Sequence, residues 1–194
     1  VAATEETSRL RRWFWRGALT STLQIFSALF WAAVLLALAP LAHADDAVWA
    51  KLKAGGNVLL LRHASTESGL GDPPGFKLGD CTAKRNLSET GREEARRLAR
   101  AFKFRAINFT TARSSQWCRC LETARLAFGE EPEPWPVLNS LYAKPEKEFE
   151  LIQAVEALAA KVKPPYNAAL VTHNFNIRAL TGISPSTAEI IVVR

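Results

Sequence analysis

Asn57-Val58-Leu59-Leu60-Leu61-Arg62-His63-Ala64 joins an unbroken apolar run to a basic end. A strand with one wet face alternates apolar and polar residues, whereas a strand covered on both faces is apolar throughout, as Val58–Leu61 is. Gly55-Gly56 interrupts the chain just before it, after a helix-like Asp46–Lys53. The run therefore reads as a buried parallel strand, with Arg62 and His63 at its carboxyl end. Parallel sheets bind ligands at that edge.

Working outward, Ala168–Thr172 is a second short apolar strand, and His173 follows it directly. Beyond Ala44 the chain has only two histidines, His63 and His173, and both stand at such strand ends. Ser65–Arg85 is rich in Gly, Pro and polar residues and reads as a long loop over the sheet edge. Thr90 and Glu93 suit a capping box, and Ala95, Leu98, Ala99 and Phe102 follow at helical spacing, predicting a helix over 90–104. A strand is expected over Ile107–Ala112, a turn at Ser114-Ser115 and a helix over Gln116–Phe128 with Trp117, Leu121, Ala124 and Phe128 on one stripe.

Pro132–Pro136 reads as an extended connector. Phe149, Ile152, Val155, Leu158 and Val162 predict a further helix that Pro164-Pro165 stops. A short helix over Asn174–Leu180 and a closing strand over Glu189–Val193 complete the pattern. Alternating strands and helices imply an α/β fold: a three-layer α/β/α sandwich with a mostly parallel central sheet. No internal repeat is present.

The N-terminal part has another character. Arg9, Arg11, Arg12 and Arg16 precede Gly17–Ala44, which carries no charged residue and ends in Ala42-His43-Ala44. Residues 1–44 are expected to be a signal peptide cleaved after Ala44, or an uncleaved signal anchor, because the apolar stretch also reaches the ~20 residues that span a bilayer. Arginines before the stretch stay cytoplasmic, so residues 45–194 form one domain expected in the periplasm, free or anchored to the inner membrane. The 194 residues, 48% hydrophobic, suffice for one packed domain plus this segment.

The formal charge of +6 would fall to about +4 after cleavage. Such an excess suits an anionic small molecule, and no basic run interleaved with aromatics supports nucleic-acid binding. Cys81, Cys118 and Cys120 lie in the exported part, where oxidation allows one bridge, Cys81 with Cys118 or Cys120. Free buried thiols are the alternative.

Four blocks, in order, carry a resemblance to the histidine phosphatase superfamily. They are Arg62-His63-Ala64, a variant of the family's Arg-His-Gly; Leu87-Ser88-Glu89-Thr90-Gly91-Arg92-Glu93-Glu94-Ala95; Ser115 with Arg119, Thr123 and Ala124; and Val171-Thr172-His173 with Ile177. The resemblance implies a phosphoglycerate mutase-like fold of a small exported branch, with His63 as nucleophile and Arg62, Arg119 and His173 beside it on the phosphate. It also implies a carboxylic acid for the leaving group. Glu148, between Glu146 and Glu150, is the first choice; Asp72 or Asp80 in the loop after His63 is the alternative. Ser65–Gly69 lacks the mutase residues expected after the signature, so mutase activity is not expected.

The chemistry explains the residue types. A phosphomonoester carries nearly two negative charges near neutral pH and repels nucleophiles unless cations compensate. Guanidinium forks donate paired hydrogen bonds to phosphate oxygens, and a neutral imidazole keeps a lone pair with which to attack phosphorus. No metal or cofactor is required. The expected function is hydrolysis of small phosphomonoesters, with envelope sugar phosphates as candidates. A phosphohistidine phosphatase, or a catalytically silent phosphate-binding envelope protein, is the alternative.

Overall fold

In the computed structural model, residues 46–69, 72, 75, 77–82 and 85–194 are described. The expected export segment, 1–44, lies outside them. The compact unit Val48–Arg194 is built on a five-stranded sheet in the order β3-β2-β4-β1-β5. Its strands are β1 (Val58–Arg62), β2 (Phe109–Ser114), β3 (Glu133–Pro134), β4 (Asn167–Thr172) and β5 (Ile190–Val193). All pair in parallel except β5, which runs antiparallel to β1.

The apolar run is explained by its place between β4 and β5. Leu59 and Leu61 enter one core with Leu52, Phe102, Cys120 and Ala124; Val58 and Leu60 enter the other with Leu138, Leu151, Val155 and Ile177. Alternate side chains are swallowed by opposite layers, so no position of Val58–Leu61 meets water. The first layer holds α1 (residues 46–54), α2 (Glu89–Phe104) and α3 (Cys118–Phe128). The second holds α4 (Glu148–Ala159), α5 (Asn174–Thr181) and the 3₁₀ turns Pro136–Leu138 and Leu141–Ala143. The expected α/β/α sandwich is present.

Several boundaries differ from the sequence expectation. The α2 cap is Ser88, not Thr90: Ser88 is extended and its Oγ accepts from the Gly91 N–H at 3.1 Å, while Thr90 already lies inside the helix. With Gly91 three residues after the cap, no capping box forms; Glu93 instead pairs outward with Arg96 and Arg100. β2 begins two residues later than its β-branched composition suggests, after Ala106 adopts a left-handed turn at φ 52°. The proline connector yields a two-residue edge strand, β3, on the rim where proline is tolerated.

Candidate active site

β1 and β4 are neighbours in register, with Arg62 opposite Thr172. His63 N–H donates to Thr172 O at 3.0 Å, and Ser115 N–H to Val171 O at 2.9 Å. The ladder therefore delivers His63, Ser115 and His173 to one edge. Both histidines are buried, with ring centroids 5.5 Å apart.

A proton on His63 Nδ1 donates to the carbonyl of its neighbour Ala64 at 2.9 Å. That bond selects the tautomer whose lone pair is on Nε2, the nitrogen turned away from the backbone. His173 is held through Nε2, 2.9 Å from Ser115 Oγ and 3.6 Å from Cys120 Sγ. Burial lowers the His63 pKa to about 4, and the positive charges of Arg119, Arg62 and Arg85 push the same way. Burial, then His63, Arg119 and Arg62, lower that of His173 well below the ordinary value. Both rings are neutral at physiological pH.

The spacing of the third block has a structural cause. Ser115 contacts His173, and the Arg119 charge acts on both histidines. Thr123 Oγ1 accepts the Ala64 N–H at 3.0 Å while donating to Arg119 O at 2.6 Å. Arg119 and Thr123, four apart on α3, share a face, while Ser115 stands in the turn between β2 and the helix; together they brace both histidine segments. Arg62 Nη1 donates to Pro185 O at 2.8 Å from the loop before β5. The buried Nε atoms of Arg62 and Arg119 have no partner among the described residues.

The four expected pocket residues thus converge, but Glu148 does not join them. It is exposed at the first position of α4, and no hydrogen bond or ion pair ties it to His63, His173, Arg62 or Arg119 among the described residues. The carboxylate at the site is Asp72, from the loop after His63. Both of its oxygens accept from Arg119 Nη1, at 3.0 and 2.9 Å, and it takes further hydrogen bonds from Trp117 Nε1 at 2.9 Å and Arg85 N–H at 3.2 Å. Burial opposes its ionisation, but the Arg119 and Trp117 hydrogen bonds and the Arg119 charge outweigh it, so its pKa lies below the ordinary value. Asn139, which buttresses this edge by accepting from Ser115 Oγ and the Gln116 N–H, carried no signal in the sequence.

The disulfide joins Cys81 to Cys118, the first residue of α3, while Cys120 points inward and stays a buried thiol whose pKa burial raises to about 12. The long loop is thereby tied beside Arg119.

The neutral histidines make stability depend on acid. In the unfolded chain His63 protonates near 6.5, in the folded chain near 4, so the unfolded state binds more protons between these values and stability falls as pH drops through that window. The expected loss is on the order of 3 kcal/mol once the pH is below both values. Melting curves from pH 7.5 to 4 should show a decline that is shallower in His63→Asn; an equal decline in both would refute this origin.

The family description "Histidine phosphatase superfamily (branch 1)" matches residues 58–142. A search of curated proteins finds no match. Among solved structures, the chain is similar to the protein histidine phosphatase SixA complexed with tungstate, at 17% identity and TM-score 0.51, covering 71% of this chain and 87% of that one. It is similar to the product of open reading frame Rv3214 from Mycobacterium tuberculosis, at 20% identity and TM-score 0.54, covering 70% and 89%. It is also similar to a phosphoserine phosphatase from Entamoeba histolytica, solved as a histidine-to-alanine mutant with phosphoserine, at 15% identity and TM-score 0.52, covering 70% and 89%. At these identities the likeness is one of fold, and the family match over residues 58–142 takes in the first three of the four motif blocks, so the chain is similar there to the histidine phosphatase superfamily.

Proposed function

We propose that the chain hydrolyses phosphomonoesters through a phosphohistidine on His63 Nε2. The observation that carries this reading is a neutral imidazole, its tautomer set by Ala64 O, facing a second neutral histidine between two guanidinium groups. In the first half-reaction the Nε2–P bond forms as the ester P–O bond breaks, and the leaving oxygen takes a proton. In the second, water attacks phosphorus as one of its protons returns to the group that protonated the leaving oxygen, the N–P bond breaks, and inorganic phosphate leaves with His63 neutral again. His173 and the arginines hold the equatorial oxygens throughout.

Asp72 replaces Glu148 as the proton donor in this reading. When an ester draws Arg119 onto its oxygens, Asp72 loses its cation and faces a dianion, and both changes raise its affinity for a proton. Asp72→Asn should slow alkyl phosphates by roughly 10²-fold while leaving p-nitrophenyl phosphate, whose phenolate leaves without help, within a few-fold. Glu148→Gln should change neither. Equal slowing of both esters by Asp72→Asn would remove it from the acid role.

Export, inferred from residues 1–44, would place the enzyme in the periplasm, and phosphorylated envelope sugars are the substrate class that follows. The similarity to a protein histidine phosphatase supports the second reading, a phosphoprotein substrate. Phosphate release from a panel of phosphosugars, phosphoserine and phosphohistidine peptide by the full-length chain tests both. No release from any member would overturn the hydrolase reading.

A further inference from the structure

The phosphate pocket inferred from the motifs has a deficit of charge. A phosphomonoester brings nearly two negative charges. Arg62 and Arg119 supply two positive ones, but Asp72 engages Arg119 with both oxygens, and the pair is mostly buried, with 11% of each side chain exposed. Arg62 has no carboxylate partner among the described residues.

A third guanidinium stands at the same place. Arg85 donates its backbone N–H to the Asp72 oxygen that Arg119 also holds. Burial is the main cause that lowers the pKa of Arg62 and of His63, and the Arg85 charge reaches both and adds to it. Among the described residues its Nη1 has a single long contact, 3.4 Å to Gly69 O, and its buried Nε has no partner. The Nε atoms of Arg62 and Arg119 are buried and unpartnered as well, so three such donors belong to the three arginines of this one site. Buried donors without acceptors cost stability and are rare, which marks them as places for an absent acceptor.

The chain around Arg85 is built to hold it. The loop is closed at its base by the Thr66–Leu87 bridge and by Glu67 N–H on Asn86 O at 3.0 Å. Asn86 Nδ2 donates to Cys81 O at 2.6 Å, and Cys81 is bonded to Cys118, next to Arg119 in sequence. Arg85 and Arg119 are thus carried on covalently joined segments.

We propose that Arg85 is a third phosphate-binding guanidinium of this site, contacting the oxygens of a dianionic phosphoryl group together with Arg62 and Arg119. In the free site, where Arg119 holds Asp72 ionised, three guanidiniums and one carboxylate leave two surplus positive charges to meet the arriving dianion. The proposal rests on the phosphatase reading for its substrate, but its ligand is any phosphate dianion, so binding tests it apart from turnover.

The test uses the full-length chain, without reductant, and inorganic phosphate as the probe. Calorimetric titration should show phosphate affinity falling by about 10- to 100-fold in Arg85→Ala, with Arg85→Lys between it and the parent, because lysine keeps the charge and loses the fork. Saturating phosphate should also slow phenylglyoxal modification of Arg85, read by mass spectrometry, which a merely structural arginine would not show. Unchanged affinity in Arg85→Ala with an unchanged melting temperature, or modification of Arg85 indifferent to phosphate, would overturn the proposal. A parent chain that binds phosphate through Arg85 yet releases none from any ester would leave this assignment standing and sink the phosphatase reading instead.

Discussion

Replacing His63 with alanine should abolish phosphate release, by about 10⁴-fold or more, and remove any acid-labile phosphoenzyme trapped in the parent chain. The size follows from the chemistry: without Nε2 the pocket still collects the dianion, but nothing in it forms a bond to phosphorus. Binding of inorganic phosphate should therefore survive, since Arg62, Arg119 and His173 remain. The variant also leaves a buried void beside Thr172, so its melting temperature must accompany the rate. His63→Asn, closer in size, guards against a folding artefact. A His63→Ala chain that still turns over within ten-fold of the parent would show that some other atom attacks, and the phosphohistidine mechanism would fall.

The largest expected structural effect is that of Gly91→Ala. Gly91 is the third residue of α2, and a Cβ there would lie 1.9 Å from Ser65 O and 2.8 Å from Ser65 C, both backbone atoms. Ser65 cannot step aside. Its carbonyl accepts the Ser88 N–H at 3.0 Å, and its own N–H and Oγ donate to Glu94 at 2.9 and 2.8 Å. Overpacking of this kind costs about 3 kcal/mol or more, equivalent to a fall of roughly 10 °C in melting temperature, or no folded protein at all. Because Ser65 is two residues from His63, a surviving variant should also lose activity out of proportion to its stability. A melting temperature within 2 °C of the parent would mean that α2 and this segment do not approach as described.

Gly91 also shows how far the sequence could be read. Its block marked a helix start, and a helix does start there, but no local pattern reveals that glycine is required because a backbone from another part of the chain passes within touching distance. The cap was misread for a related reason. Thr90 and Glu93 had the right spacing, and only the extended backbone at Ser88 decides between the two hydroxyls. The disulfide was narrowed to two pairings, and the direction each cysteine faces on α3 selects Cys118.

The same division runs through the site. His63 and His173 were legible because each follows an apolar strand, and Arg62 and Arg119 because motif spacing fixes them. Asp72 was one of several carboxyls in reach of the argument, and Glu148 was preferred to it. Position between two blocks says nothing about which way a residue faces, and Glu148 faces water. Arg85 had no signal at all.

What the sequence by itself determined is whatever depends on short-range periodicity: the doubly buried strand, the helices between strands, the α/β layering and the two histidines at strand ends. Those features are set by which side chains are apolar and how often they recur, and water acts on them locally. The tertiary structure alone decided which charges meet. A salt bridge between Asp72 and Arg119, 47 residues apart, or an arginine lodged by a disulfide across 37, depends on loop closure and on the direction of each side chain. Loop closure costs entropy that grows only slowly with length, so the chain leaves no local mark of where its distant segments will join.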